Sequence, residues 1–158
     1  MNLFLEGQLD LLDKLISFNV DFIVIGGYSV IYYGYKRTTG DVDIWLKPDN
    51  DNKEKLLKVF QIMDIDDYDL EVISGLDFTK HQAFTIGTDP LRTDFMTMVN
   101  LVNYEEASNQ KVMGEIDGLS IPFIHFNHLI LSKMNTGRLI DQADIEKLQK
   151  IKREEDKN

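Results

Sequence analysis

A mixed β-sheet covered by helices is the fold this sequence predicts, of the α/β (α+β) class and closed by a pair of C-terminal helices. Three observations carry that expectation. The first half of the chain alternates amphipathic stretches of helical period with short apolar strands. The second half pairs its strands across tight turns, at Gly87-Thr88-Asp89-Pro90 and at Asp117-Gly118. From residue 127 onward the helical spacing returns. Each kind of element has one apolar face to bury, so strands and helices in this order must stack as layers.

The elements follow in order. Leu5, Leu9, Leu12, Leu15 and Ile16 recur at helical spacing over residues 3–18, and Asn19 ends that helix. Asp21-Phe22-Ile23-Val24-Ile25 is a continuous apolar run that reads as a buried strand, stopped by Gly26-Gly27. Residues 28–35 read as a short aromatic-rich helix, and Lys36 to Gly40 as a polar basic loop. Asp41-Val42-Asp43-Ile44-Trp45-Leu46 alternates polar and apolar, the pattern of a half-buried strand. Pro48-Asp49-Asn50-Asp51 turns into a covering helix over 52–63, carried by Leu56, Leu57, Val59, Phe60 and Met63. Residues 64–80 are acidic and have no period that places them. His81 to Ile86 and Leu91 to Met96 read as one hairpin, 104–110 as a short helix, and Lys111 to Ile116 with Leu119 to Ile124 as a second hairpin. Asn127 is the expected N-cap of a helix holding Leu129, Ile130, Leu131 and Met134, which Gly137 ends. A last helix spans 138–151, and the charged tail from Lys152 is expected to fray.

A length of 158 residues supports one domain. Its parts are an N-terminal helix (1–18), a core (20–125), C-terminal helices (126–152) and a tail (153–158). The chain is 43% hydrophobic and 28% charged, as soluble globular proteins are. It has no cysteine, which excludes disulfides, thiolate metal sites and a cysteine nucleophile, and suits a cytoplasmic location. No apolar run approaches the roughly 18 residues of a membrane span, and Met1 to Glu6 lacks the basic start of a signal peptide. The net charge of −10 argues against a broad basic surface for duplex DNA and fits acids that converge on a divalent cation.

Chemistry concentrates between Phe22 and Leu46. Alternate residues of a strand share a face, so Asp41 and Asp43 project together while Val42 and Ile44 point inward. Two adjacent carboxylates repel, and a divalent cation between them turns that repulsion into binding. Gly26 and Gly27 let backbone N–H groups approach a phosphate, and Ser29 at the helix start offers a hydroxyl. Together these features would hold a nucleoside triphosphate with its metal. A third acid completes a two-metal site, and Asp94, inside a strand, suits that place better than Asp77 or Asp89. Arg37 and Lys36 are candidates to steer the triphosphate. An Asp-x-Asp pair by itself is commonly an exposed strand edge, and a double glycine commonly a turn; the conjunction carries the argument. His81, His125 and His128 lack zinc spacing. Tyr28, Tyr32, Tyr33 and Tyr35 read as core and cleft wall.

Gly26-Gly27, thirteen residues, then Asp41-Val42-Asp43 resembles the core of the nucleotidyltransferase superfamily with the DNA polymerase beta fold. The stretch Ile25 to Val30 through Arg37 to Ile44 is similar to small bacterial members, the abortive-infection toxin nucleotidyltransferases and the lincosamide nucleotidyltransferases. The resemblance implies three metal-binding and catalytic acids, Asp41, Asp43 and Asp94, with two magnesium ions or manganese in their place. It also implies that Lys133 and Arg138 on the C-terminal helices help hold the triphosphate, beside Gly26, Gly27, Ser29 and Arg37. Those relatives commonly carry a lysine just before the aspartate at 141, where this chain has Ile140. The expected activity is transfer of a nucleoside monophosphate from a nucleoside triphosphate to a hydroxyl acceptor, with pyrophosphate released. A transfer RNA end, a small molecule and a protein are the competing acceptors. The alternatives are a catalytically silent nucleotide-binding or antitoxin-type partner module of the same fold, and a metal phosphohydrolase. The toxin resemblance also raises a cognate antitoxin or partner protein.

Overall fold

The computed structural model describes residues 3–158; Met1 and Asn2, the start of the N-terminal segment, lie outside the described residues. Along the chain run α1 (Glu6–Ser17), β1 (Phe22–Ile25), α2 (Gly26–Tyr32), β2 (Val42–Leu46), α3 (Asn50–Ile62), α4 (Asp67–Ser74), β3 (Ala83–Ile86), β4 (Thr93–Met96), α5 (Tyr104–Gln110), β5 (Val112–Ile116), β6 (Leu119–Phe123), α6 (Phe126–Lys133) and α7 (Leu139–Asp156). The strands form one mixed sheet in the order β3-β4-β2-β1-β6-β5. β1 runs antiparallel to β2 and parallel to β6, and β2 runs parallel to β4. Both expected hairpins are present, β3 with β4 and β5 with β6.

Strand alternation divides the core between the two faces of the sheet. On one face Phe22, Val24, Val42, Ile44 and Leu46 pack against Leu12 and Leu15 of α1 and Leu56, Val59 and Phe60 of α3. On the other, Ile23, Ile25 and Trp45 pack with Tyr104 and Ala107 of α5, Leu129 of α6 and Leu148 of α7. Trp45 is wholly enclosed there; its indole N–H donates to the Thr97 carbonyl at 3.2 Å. Helices α6 and α7 thus lie on the face toward which Asp43, two residues before Trp45, also points.

Several local expectations are corrected. The double glycine does not precede the second helix but begins it: Gly26 takes φ +69°, turning the chain straight from β1 into α2, which ends at Tyr32. Residues 64–80 contain a helix, α4, capped by Asp66, whose side chain accepts from the Tyr68 N–H at 2.7 Å. α6 is capped by His125 and not by Asn127; the His125 Nδ1 accepts from the Asn127 N–H at 3.0 Å. α6 closes at Lys133, with Gly137 at φ +76° in the turn that follows, and α7 stays helical through the tail to Asp156, where an ion pair from Lys152 spans one turn at 3.4 Å.

Candidate active site

The register between parallel strands assembles the acids. Asp43 of β2 lies directly opposite Asp94 of β4, so the two carboxylates stand on one face of adjacent strands. Asp41 precedes β2 by one residue and shares that face. On the other flank of β2, Ile25 is opposite Asp43, which brings Gly26 against the same carboxylate. A Cβ built on Gly26 would overlap Asp43 Oδ2, and one on Gly27 would overlap the Thr39 hydroxyl. Neither position accepts a side chain, Gly26 doubly so because of its positive φ.

Cations close the opposite wall. Arg37 reaches Asp144 of α7 through Nε at 2.9 Å and Nη2 at 3.0 Å, while its Nη1 donates to the Thr38 carbonyl at 2.9 Å. Lys133, at the end of α6, is buried between Asp141 (3.2 Å) and Asp144 (3.0 Å). Asp141 also accepts from the Thr136 hydroxyl at 2.7 Å, and Arg138 lies 3.9 Å from it, mostly exposed. The cleft between these walls is open to solvent on one side and has a volume of about 430 Å³, within the range of small-molecule sites.

The acids are held under electrostatic stress. Burial pushes the Asp43 carboxyl up to about 6, with the neighbouring Asp94 and Asp41 charges adding to it and Lys133 and Arg138 opposing. Asp94 is oriented by the Thr85 hydroxyl, which donates to its Oδ1 at 2.6 Å. Arg92 stands between Asp41 (3.4 Å) and Asp94 (3.5 Å) and partly offsets both. Among the described residues no three acid or histidine side chains form a ready-made metal cage. The donors present are nevertheless all carboxylate oxygens, the type magnesium and manganese take, and a divalent ion would relieve the repulsion that burial imposes on Asp43. The residues fit such an ion.

The sequence matches one protein family, described as nucleotidyl transferase of unknown function (DUF2204), over residues 5–158. The chain belongs to that nucleotidyl transferase family. Solved structures agree in fold. The lincosamide antibiotic adenylyltransferase LnuA, determined with lincomycin bound, is similar with a TM-score of 0.56 and 15% identity over 94% of this chain and 98% of its own. A Thermotoga maritima protein proposed to be a nucleotidyltransferase is similar with a TM-score of 0.53 and 14% identity, over 90% and 89%. Comparison with curated protein sequences gives no match.

Within this nucleotidyl transferase, the candidate site residues from sequence line the cleft, except Ser29 and Lys36. Gly26, Gly27, Arg37, Asp41, Asp43, Asp94, Lys133 and Arg138 meet there from α2, β2, β4, α6 and the loops between. Ser29 is a correction: it is fully buried, and its hydroxyl donates to the Val24 carbonyl at 2.8 Å, tying α2 back onto β1. Lys36 is exposed on the loop outside the cleft. The tyrosines are packing residues and not cleft wall, since none lines the cleft: Tyr28 bonds Gln8, Tyr32 stacks on Phe123, and the Tyr33 hydroxyl donates to the Ile124 carbonyl. Sequence reasoning gave no site role to Thr85, Arg92 or Asp144. For Asp144 a signal exists: Asp141 and Asp144 are three apart on one helix face, an acid pair that faces Lys133.

Proposed function

We propose that this chain is a metal-dependent nucleotidyltransferase that moves a nucleoside monophosphate from a nucleoside triphosphate to a hydroxyl acceptor. The observation that carries the reading is the facing pair Asp43 and Asp94, with Asp41 and the glycine pair beside them, in one cleft with Arg37 and Lys133. Asp41, Asp43 and Asp94 would hold two magnesium ions, or manganese, whose chemistry is to neutralise the phosphate oxygens and the leaving group. The glycine pair admits the phosphates close to the backbone, and Arg37, Lys133 and Arg138 supply donors to them. Asp94, already oriented by Thr85, accepts or positions the acceptor's hydroxyl proton. The acceptor oxygen bonds to the α-phosphorus as the bond from that phosphorus to the bridging oxygen breaks, and pyrophosphate leaves with the electron pair. The net charge of −10 weighs against an acceptor that needs a broad basic surface, and so favours a small molecule or a protein over a transfer RNA.

Pyrophosphate release with magnesium and each of the four nucleoside triphosphates tests this, with wild type beside Asp43→Ala. Total transfer RNA, a small-metabolite extract and a protein fraction serve as acceptors. We expect release that requires one acceptor fraction and falls at least about 100-fold in the variant, as loss of a residue that stabilises transition-state charge does. Unchanged release in Asp43→Ala sinks the mechanism. Nucleotide bound with no release points to a silent binding module, and inorganic phosphate as product points to a hydrolase.

A further inference from the structure

Asp144 has no exposed surface, yet it engages two cations from distant parts of the chain. Arg37, 107 positions earlier, donates to it from Nη2 and brings Nε within ion-pair distance, and Lys133 reaches it with Nζ. Stability does not account for such a network, because exchanging buried ion pairs for apolar residues of similar size is often neutral or stabilising. Geometry does. Arg37 Nη2 lies 3.2 Å from the position of a Cβ on Gly27, so the guanidinium stands against the glycine pair. A guanidinium offers five N–H donors in a rigid fork. Nη2 and Nη1 each give one N–H to a hydrogen bond, while Nε lies within ion-pair distance of Asp144 Oδ1 without hydrogen-bond geometry, so one N–H on each Nη remains uncommitted on a residue that lines the cleft. Lys133 donates one hydrogen bond, to Asp141, and forms an ion pair with Asp144, so its ammonium too keeps donor capacity. The two cations and two anions sum to zero charge, so what the cluster offers a ligand is fixed donors and not excess charge.

We propose that Asp144 is a positioning residue that sets Arg37 and Lys133 as a rigid clamp on the β and γ phosphates of the donor nucleotide; this rests on the cleft being the triphosphate site. The sign of the effect separates positioning from charge. Removing an anion beside bound phosphates strengthens binding if charge alone matters. It weakens binding if Asp144 acts by holding the fork.

Calorimetric titration with magnesium compares wild type, Asp144→Asn, Arg37→Gln and the double variant. The probes are the tightest-binding of the four nucleoside triphosphates and the corresponding monophosphate. Asp144→Asn is expected to weaken the triphosphate about tenfold, the worth of one hydrogen bond to a charged group, and to leave the monophosphate near its wild-type affinity. The double variant is expected to lose less than the product of the single losses. Triphosphate affinity that is unchanged or higher in Asp144→Asn overturns the proposal, as do equal losses for both nucleotides or multiplicative losses. Where circular dichroism shows Asp144→Asn unfolded, Arg37→Lys carries the test, since it keeps the charge and gives up the fork. A loss of about tenfold for the triphosphate supports the clamp, and unchanged affinity overturns it. A wild-type protein that binds none of the triphosphates overturns the reading of the cleft itself, a different result from each of these.

Discussion

Asp43 lies half-buried between two other carboxylates, and with no cation present that placement works against the folded chain. A carboxyl raised to about 6 contributes no penalty where it is protonated in both states, below about pH 4. The penalty grows as pH rises through the folded value and is complete above it. Asp43→Asn is therefore expected to stabilise the metal-free protein by roughly 2 kcal/mol at pH 8, raising Tm by about 4–8 °C. The gain should vanish near pH 4. Thermal melts in chelator at the two pH values check this; a variant less stable than wild type at pH 8 would show that Asp43 is held by contacts its charge does not reveal. The acid that the chemistry needs is thus expected to be one that folding alone would discard.

Elements differ in how plainly the sequence announces them, and the reasons are local. β1 and β2 were legible because an apolar run and a strict alternation have few other readings, and Asp117-Gly118 marks its hairpin through the two positive φ angles there. α4 was not legible: only Ile73 of its eight residues is buried, so it shows no apolar stripe, and its cap Asp66 stands among other acids. The start of α6 was misplaced by two residues because asparagine is a strong capping type and a histidine cap has no such sequence signal. The candidate site was legible wherever strand alternation fixes direction, as for Asp41, Asp43 and Asp94. It was not legible where a short side chain chooses between backbone and cleft, as Ser29 does. Nor was it legible where the partner lies far along the chain, as for Asp144. The histidine cap carries its own prediction. Burial, then His128 and Lys152, hold the His125 imidazole below its ordinary value. Its capping contribution is therefore complete above about pH 6.5 and is lost as pH falls through that lowered value, when Nδ1 gains a proton and stops accepting. His125→Ala should cost about 1 kcal/mol at pH 8 and much less at pH 5, read by urea melts. An equal cost at both pH values would mean that the ring acts by packing alone.

At the scale of the whole molecule, the sheet is a partition. One face is an apolar layer closed by α1 and α3. The other is shared between a smaller core and the cleft, and α7 serves both: Leu148 packs with Trp45 and Ile25, and Asp144, one turn earlier, holds the clamp. Leu148→Ala should lower stability by about 2–5 kcal/mol, and triphosphate affinity should fall with it as α7 loosens. Urea melts paired with titration test the coupling; lost stability with intact affinity would show that the clamp is seated without the core beneath it. The long reach from Arg37 to Asp144 also has a meaning in time. A chain emerging from the ribosome completes its strands, and with them all three acids, before α7 exists. Until that helix has been made and has docked, Arg37 has no counter-ion to hold its fork and Lys133 lacks both of its carboxylates. The proposed clamp can therefore form only once the last helix has been made and has docked.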